Sequence, residues 1–489
     1  MSDSFDADLY HIQNIRWNEE FSAVPGLANL EDRFGFNSNY LLISALFSFR
    51  FLFGEAVYTL QSLLFLLIML WVVYNIIASK KNVPYLLLLF FLIIILMGGE
   101  TFLDNSSTDS VSLLCIFYYI SKTALKPAWL HRQPLLAILL PITMVTYKLS
   151  SIIFCLICLY VLYYLVKQKR YKVIGFTVVF SFLLMSFWFT RNVIVSGYLI
   201  YPLNQIDLFN VDWKVPQAVA VLQQTHIYNF ARFMFFRYYD FDMVMQDLNG
   251  TRIEQLYRLF NVFIHLLIVL SPLWFIYSYF KGMRIHRGVY QIYLVSVLSI
   301  IFGLITAPDF RFINGFVFGC SFLILYTIVV SLPIGFSLSL GARRILLAAF
   351  ALVFAFVVFK EKRLLVSYTY DNHKEQFFSF IYKPMPFARK MEVDIVYDAR
   401  KVGNLTIYTT REVNGRTYDF LPSTNPMGLP EYPFEGYKIQ HIETIDSRGE
   451  TLQDGFKTKP MFVDSLNRNI EIYKDQYIRF YKQAQPYPL

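Results

Sequence analysis

Apolar residues in this chain come in long, unbroken runs. Leu86–Met97, Ile152–Val166, Val173–Phe189 and Leu346–Phe359 contain almost no polar side chain. Such runs are solvated by lipid or by a very large core. Taking the polar gaps as turns gives ten crossings, at about 56–78, 84–98, 109–125, 134–147, 150–166, 173–190, 257–280, 289–306, 313–336 and 344–360. Several fall short of the ~20 residues usual for a bilayer. The segments 134–147 and 150–166 read as a broken or re-entrant pair. Residues 40–55 are apolar but carry Arg50 and Glu55, which predicts a helix lying at the interface rather than crossing.

The pattern changes at about residue 361. Asn404–Thr409 alternates as a strand does, and Pro422–Gly428 is rich in turn formers. The expected organisation is a first loop with an interfacial helix (1–55), an all-α polytopic membrane domain (56–360) and a small mixed α/β tail (361–489).

Charge orients this arrangement. Only 16% of residues are charged and 56% are hydrophobic, against a charged share of ~25% in soluble domains. The net charge of +9 does not indicate nucleic acid. Its Lys and Arg are spread over short loops (Lys80-Lys81, Lys122 to Arg132, Lys167–Arg170, Lys281 to Arg287, Arg343-Arg344) that all fall on one face. That is the positive-inside pattern of cytoplasmic loops. The first loop, the acidic Gly98–Asp109 loop and the tail then lie on the opposite, extracytoplasmic face. The N-terminus has no signal-peptide pattern, so an exported acidic head predicts a further span upstream of residue 1. The cysteines Cys115, Cys155, Cys158 and Cys320 lie in the apolar runs, where buried small residues are expected rather than a redox or zinc site.

Three elements on the acidic face hold ionisable residues at a lipid boundary, where charge is expensive. The first is Asp6, Asp8, Tyr10 and His11, with Gln13, Arg16, Trp17 and Glu20 behind them. As a helix, this segment sets Asp6, Gln13, Trp17 and Glu20 roughly on one side. A carboxylate there suits deprotonation of a hydroxyl or binding of a divalent cation. The alternative is a solvated head with snorkelling aromatics. The second element is the Glu100–Asp109 loop, in which Asp104, Ser107 and Thr108 suit helix capping and Asp109 suits function. The third is a set of cations, Lys148, Arg191 beside Asn192 and Tyr198, and Arg311 beside Asp309, which suit an anionic phosphate or simple ion pairing. His226 and His265 lack ligand spacing and read as structural.

The stretches Asp6–Trp17 and Val24–Asn37, with Arg191-Asn192, Ser196–Tyr198, Tyr201-Pro202, Ala307–Phe312 and Arg448 to Phe456, resemble a family of multi-spanning bacterial proteins. That family is similar to the GT-C glycosyltransferases. The resemblance implies an enzyme of the bacterial inner membrane that moves a sugar from a polyprenyl-phosphate donor to an envelope glycan or lipid acceptor. Asp6 and Asp109 would be its catalytic acids. Tyr10, His11, Gln13, Trp17, Lys148, Arg191, Asn192, Tyr198, Asp309 and Arg311 would bind substrate, with a divalent cation as the candidate cofactor. The competing classes are a transporter or flippase of envelope polysaccharide, which calls for mid-span charges and inverted repeats, and a non-catalytic envelope protein.

Overall fold

The computed structural model describes residues 6–54, 56–79, 82–97, 106–238, 240, 245, 252–331, 338–361, 396–410, 420–424 and 442–484. Glu55, Lys80-Lys81 and the acidic Glu100 and Asp104 lie outside them. The described chain is mostly helical. A head of four short helices comes first: α1 (Ile12–Glu20), α2 (Leu27–Leu30), α3 (Asn39–Leu46) and α4 (Arg50–Phe53). Long helices follow: α5 (Leu60–Ala78), α6 (Val83–Met97), α7 (Thr108–Leu125), a short α8 (Trp129–Arg132), α9 (Pro134–Tyr147), α10 (Leu156–Lys167), α11 (Tyr171–Ser196) and α12 (Gln217–Tyr238). The bundle is completed by α13 (Arg252–Phe280), α14 (Arg287–Thr306), α15 (Phe310–Ser331) and α16 (Leu340–Glu361).

The described part of every run expected to cross is helical. Among the described residues six helical segments are long and apolar enough to span a membrane: Leu60–Ala78, Leu149–Lys167, Tyr171–Ser196, Gln255–Phe280, Arg287–Thr306 and Phe310–Ser331. Their outward faces are apolar. Leu63, Leu66, Leu67 and Leu70 on α5, Phe176, Val179, Phe180 and Phe187 on α11, and Leu259, Val262, Leu266, Val269 and Leu273 on α13 are all exposed. Apolar area on this scale is stable only against lipid.

Helix α15 is the most enclosed of the six, packed by α6, α7, α13 and α14. Gly315 and Gly319, one turn apart, let α7 approach it closely. A Cβ at Gly315 would lie 2.9 Å from Ile116 Cβ and 3.2 Å from Leu113 Cα. Around this contact Phe91 stacks on Phe117 at 5.8 Å, and Phe322 meets both rings edge-on at 5.8 and 6.0 Å.

The tail does not stand apart from the head. β1 (Tyr397–Val402) pairs antiparallel with β2 (Leu405–Thr410), which pairs parallel with β3 (Ser423–Thr424). A second ladder joins β4 (Ile445–Ser447) to β5 (Phe456–Thr458). Val402, Leu405, Ile407, Ile445 and Phe456 share one core with Trp17, Val24, Leu27, Leu30 and Phe34 of the head and Val195, Tyr198, Tyr201 and Val215. Asn29, fully buried, fastens them together. Its amide donates to Trp213 O at 2.8 Å and its carbonyl accepts from Thr458 Oγ1 at 2.8 Å. Phe456 N donates to Pro25 O at 3.0 Å. Gly26 (φ +65°) faces the Phe456 carbonyl, where a Cβ has no room. Helices α17 (Pro460–Arg468) and α18 (Ile470–Ala484) run along α12.

The single interfacial helix expected over 40–55 is instead an elbow, α3 and α4 joined through Phe49 in the left-handed region (φ 52°). Phe51 and Leu52 point outward, while Arg50 Nε turns inward to donate to Glu19 Oε2 at 2.6 Å.

Candidate functional site

The head enters its first helix through a wide π turn, Ala7–His11. Each residue of such a turn advances less than in an α-helix, so the phase slips across it. Asp6 therefore parts from Gln13 and Trp17, which an unbroken helix would set on its own side. Asp6 faces the bundle end, where three other elements deliver charge. Asp109 stands on the first turn of α7, where Ser107 Oγ caps the helix by accepting from Asp109 N at 3.2 Å. Lys148 follows the last residue of α9, and Asp309 and Arg311 bracket the start of α15.

These groups meet. Lys148 Nζ is ion-paired with Asp109 Oδ1 and sits 3.6 Å from the Phe312 ring centroid. Arg311 is gripped by Asp309, whose Oδ1 accepts from the Arg311 backbone N at 2.9 Å and whose Oδ2 accepts from Arg311 Nε at 2.9 Å. Arg311 Nη1 lies 4.0 Å from Asp6 Oδ2, an ionic approach too long for a hydrogen bond. Exposure grades across the cluster: the Asp309 side chain retains 5%, whereas Asp6 retains 44% and Arg311 41%. Asp309 is thus a buried holder of Arg311, and Asp6 and Arg311 form the open edge.

Tyr10 and His11 line the floor, their rings edge-to-face at 4.3 Å. Burial, then the charge of Asp6, pushes the Tyr10 phenol well above its usual range, so it stays a hydrogen-bond donor. His11 is almost fully buried and its Nδ1 has no hydrogen-bond partner. Burial lowers its pKa while Asp6 and Asp109 oppose the shift, leaving a neutral imidazole at pH 7.

One neighbour, Arg33, escaped the sequence reading, and another, His226, was expected to be structural. Arg33 lies with its guanidinium 5.6 Å from the Tyr10 ring centroid. Its sequence signal, a cation following Glu31 and Asp32, resembles a surface ion pair. His226 of α12 is hydrogen-bonded through Nδ1 to Tyr481 OH of α18 at 2.7 Å. Burial, and then Arg33, depresses its pKa to about 3. Phe230, one turn along α12, approaches the Arg311 guanidinium at 5.7 Å.

Other expected site residues have structural partners elsewhere. Gln13 donates to Ser423 O at 2.5 Å and Ser423 Oγ at 2.8 Å, tying the head to β3. Trp17 is buried against Phe21 and Phe456. Arg191 donates through Nε to Asn37 Oδ1 at 2.6 Å and through Nη2 to Asn18 Oδ1. Asn192 Oδ1 accepts from Asn37 Nδ2 at 2.8 Å, and Tyr198 OH donates to Val215 O at 3.1 Å. Asn37, in the left-handed region at φ 46°, is the hub of this node.

Among the described residues no group of three or more His, Cys, Asp or Glu side chains could hold a metal ion. The carboxylates of Asp109 and Asp309 are matched instead to an ammonium and a guanidinium.

The model of a family described as a domain of unknown function (DUF8201) matches residues 2–318. The chain belongs to that family. No curated protein and no solved structure matches the chain. The DUF8201 segment contains every element that builds the cluster, from the turn bearing Asp6 to the start of α15 bearing Arg311. The strands that brace the head lie beyond it.

Proposed function

We propose that this DUF8201 protein is a GT-C-like membrane glycosyltransferase, moving a sugar from a polyprenyl-phosphate donor to an envelope glycan or lipid acceptor. The observation that carries this reading is the convergence of Asp6, Asp109, Lys148, Asp309 and Arg311 at one end of an apolar bundle. Asp6 alone among the three acids there stands half-exposed, with its nearest cation, Arg311 Nη1, at 4.0 Å and beyond hydrogen-bond reach. In the reaction proposed, the Asp6 carboxylate takes the proton of an acceptor hydroxyl. The acceptor oxygen bonds to the anomeric carbon, and the sugar–phosphate C–O bond breaks with its electron pair leaving on the phosphate. Arg311 and Lys148 offset that charge. Asp309 fixes the guanidinium, Asp109 fixes the ammonium, and Tyr10 donates to an oxygen at the reacting centre.

The same reading takes the ten apolar helices as ten crossings, with the cluster and tail outside and the basic loops in the cytoplasm. The charges lie at the bundle end rather than in mid-span, which favours the enzyme over a transporter. The test is reconstitution of the full chain with radiolabelled polyprenyl-phosphate sugars and extracted envelope acceptors. Label should pass to the acceptor in wild type and in Glu450→Gln, an exposed tail variant, and not in Asp6→Asn. Transfer undiminished in Asp6→Asn would remove the assignment; lipid-linked sugar crossing the bilayer without transfer would make the protein a flippase.

A further inference from the structure

The turns read as cytoplasmic carry charge of one sign only. Segments 79–83, 122–134, 167–172, 281–288 and 332–344 hold Lys and Arg throughout and contain no Asp or Glu. Two of these cations, Lys122 and Lys126, are set against a wall of aromatic rings. They stand one turn apart where α7 ends, and Lys122 lies about 20 Å along that helix from Asp109. Lys122 Nζ donates to Tyr118 OH at 2.9 Å and sits 4.5 Å from the Trp129 ring centroid. Lys126 Nζ sits 5.9 Å from the Trp71 ring centroid. Trp71 meets Tyr118 edge-on at 5.3 Å, so one continuous wall backs both lysines. The Trp129 ring is fixed in turn by its Nε1, which donates to Thr123 Oγ1 at 3.1 Å.

Like charges four residues apart on a helix repel each other. Burial, and then the charge of Lys122, pushes the Lys126 pKa down. The dipole at the C-terminus of α7 favours cations there, but it does not call for a shared aromatic wall behind them. Lys126 is exposed and Lys122 partly so, which leaves the pair open to an anion from outside. The approach to the pair is apolar. Trp71 lies on α5 in a stripe with Leu67, Leu70 and Tyr74, all three of them exposed on the face that lipid covers. Trp and Tyr next to such a face sit at headgroup level. An acyl chain lying along the α5 stripe would therefore bring its headgroup to the two ammonium groups. That continuity suits an anionic lipid rather than an acidic protein, and basic pockets between spanning helices are suited to such headgroups.

We propose that Lys122 and Lys126, backed by Trp71 and Tyr118, bind the phosphate headgroup of an anionic phospholipid between α5 and α7. The site stands apart from the acid cluster and does not depend on the glycosyltransferase reading.

The test uses the full chain, delipidated in neutral detergent, with three probes: dioleoyl phosphatidylglycerol, dioleoyl phosphatidylcholine and inorganic phosphate. Bound lipid is counted by native mass spectrometry, and protection is read as a thermal shift. Phosphatidylglycerol should bind wild type and raise its midpoint, and phosphatidylcholine should do neither at the same concentration. Lys122→Gln and Lys126→Gln should each weaken phosphatidylglycerol by about fivefold, and together by on the order of twentyfold. Lys122→Arg with Lys126→Arg keeps both charges and should bind as wild type, which separates lost charge from lost fold. Lys167→Gln with Lys172→Gln removes the same charge from exposed positions on α10 and α11 and should also bind as wild type. Phosphatidylcholine bound as tightly as phosphatidylglycerol would overturn the proposal. So would an equal loss in the Lys167 and Lys172 variant, since diffuse charge and not a site would then hold the lipid. Inorganic phosphate protecting as well as phosphatidylglycerol would overturn it too, making the pair a site for a soluble anion.

Discussion

Lys148→Met tests whether the Lys148–Asp109 pair is a structural strut, a working part of the site, or both. Met keeps the apolar stem and removes the ammonium, which lies over the Phe312 ring as well as against Asp109. Asp109 is left with an uncompensated carboxylate at the top of α7. Breaking a fully buried pair from one side costs roughly 3–5 kcal/mol. Here the side chains retain 15% and 22% exposure, so water recovers part of the loss and about 2–3 kcal/mol is expected. Asp109→Asn should cost less, because the amide still accepts a hydrogen bond from Lys148. The double variant should recover much of the loss, giving a coupling energy of about 2 kcal/mol in a double-mutant cycle. The assay is reversible unfolding in mixed micelles, run beside the transfer assay. The double variant should fold nearly as wild type and transfer no sugar, since the ammonium that offsets phosphate charge is gone. Additive single costs, with coupling under about 0.5 kcal/mol, would refute the pair as a strut; a fully active double variant would remove Lys148 from the chemistry.

Other outcomes follow from the packing. Gly315→Val should destabilise the bundle by about 1–3 kcal/mol through overpacking against Ile116 and Leu113 of α7, read as a lower midpoint in the same unfolding assay. Asn29→Ala strips buried partners from Trp213 and Thr458, costs about 2–3 kcal/mol, and should make the tail the first segment cleaved in limited proteolysis. His226 has a folded-state pKa of about 3, below the ordinary histidine value of about 6.5. Between those values the unfolded chain binds the extra proton, so stability rises with pH through the window and is lost as pH falls, by up to about 1.4 kcal/mol per unit. The α12–α18 contact should therefore loosen in acid, and His226→Gln should flatten that dependence; an unchanged slope would contradict it.

Much of this was legible in the sequence because lipid imposes a simple rule. Runs such as Val173–Phe189 have no other solvent, and the described part of every run that looked apolar enough to cross is helical. Asp6, Asp109, Lys148, Asp309 and Arg311 were also visible, since charge at the edge of an apolar run stands out. What stayed hidden depends on distant pairing. Gln13 and Trp17 lie on a helix with Asp6, but the π turn at Ala7–His11 rotates them toward the tail, and no local pattern announces that slip. Arg191 reads as a phosphate ligand until Asn18 and Asn37 are seen to take its donors from more than 150 positions away in sequence. The shared core of head and tail was beyond reach for the same reason, because Phe456 meets Pro25 by closing nearly the whole chain.

The most direct test of the central claim separates binding from chemistry at Asp6. Donor affinity and single-turnover transfer should be measured together for wild type and Asp6→Asn in nanodiscs. If Asp6 is the base, the variant should bind polyprenyl-phosphate sugar within about threefold of wild type, or somewhat tighter with a negative charge removed, and its transfer rate should fall by about 10²–10⁴-fold. A variant that loses donor binding and turns over normally once saturated would contradict the account, making Asp6 a binding residue and leaving the base to be found elsewhere.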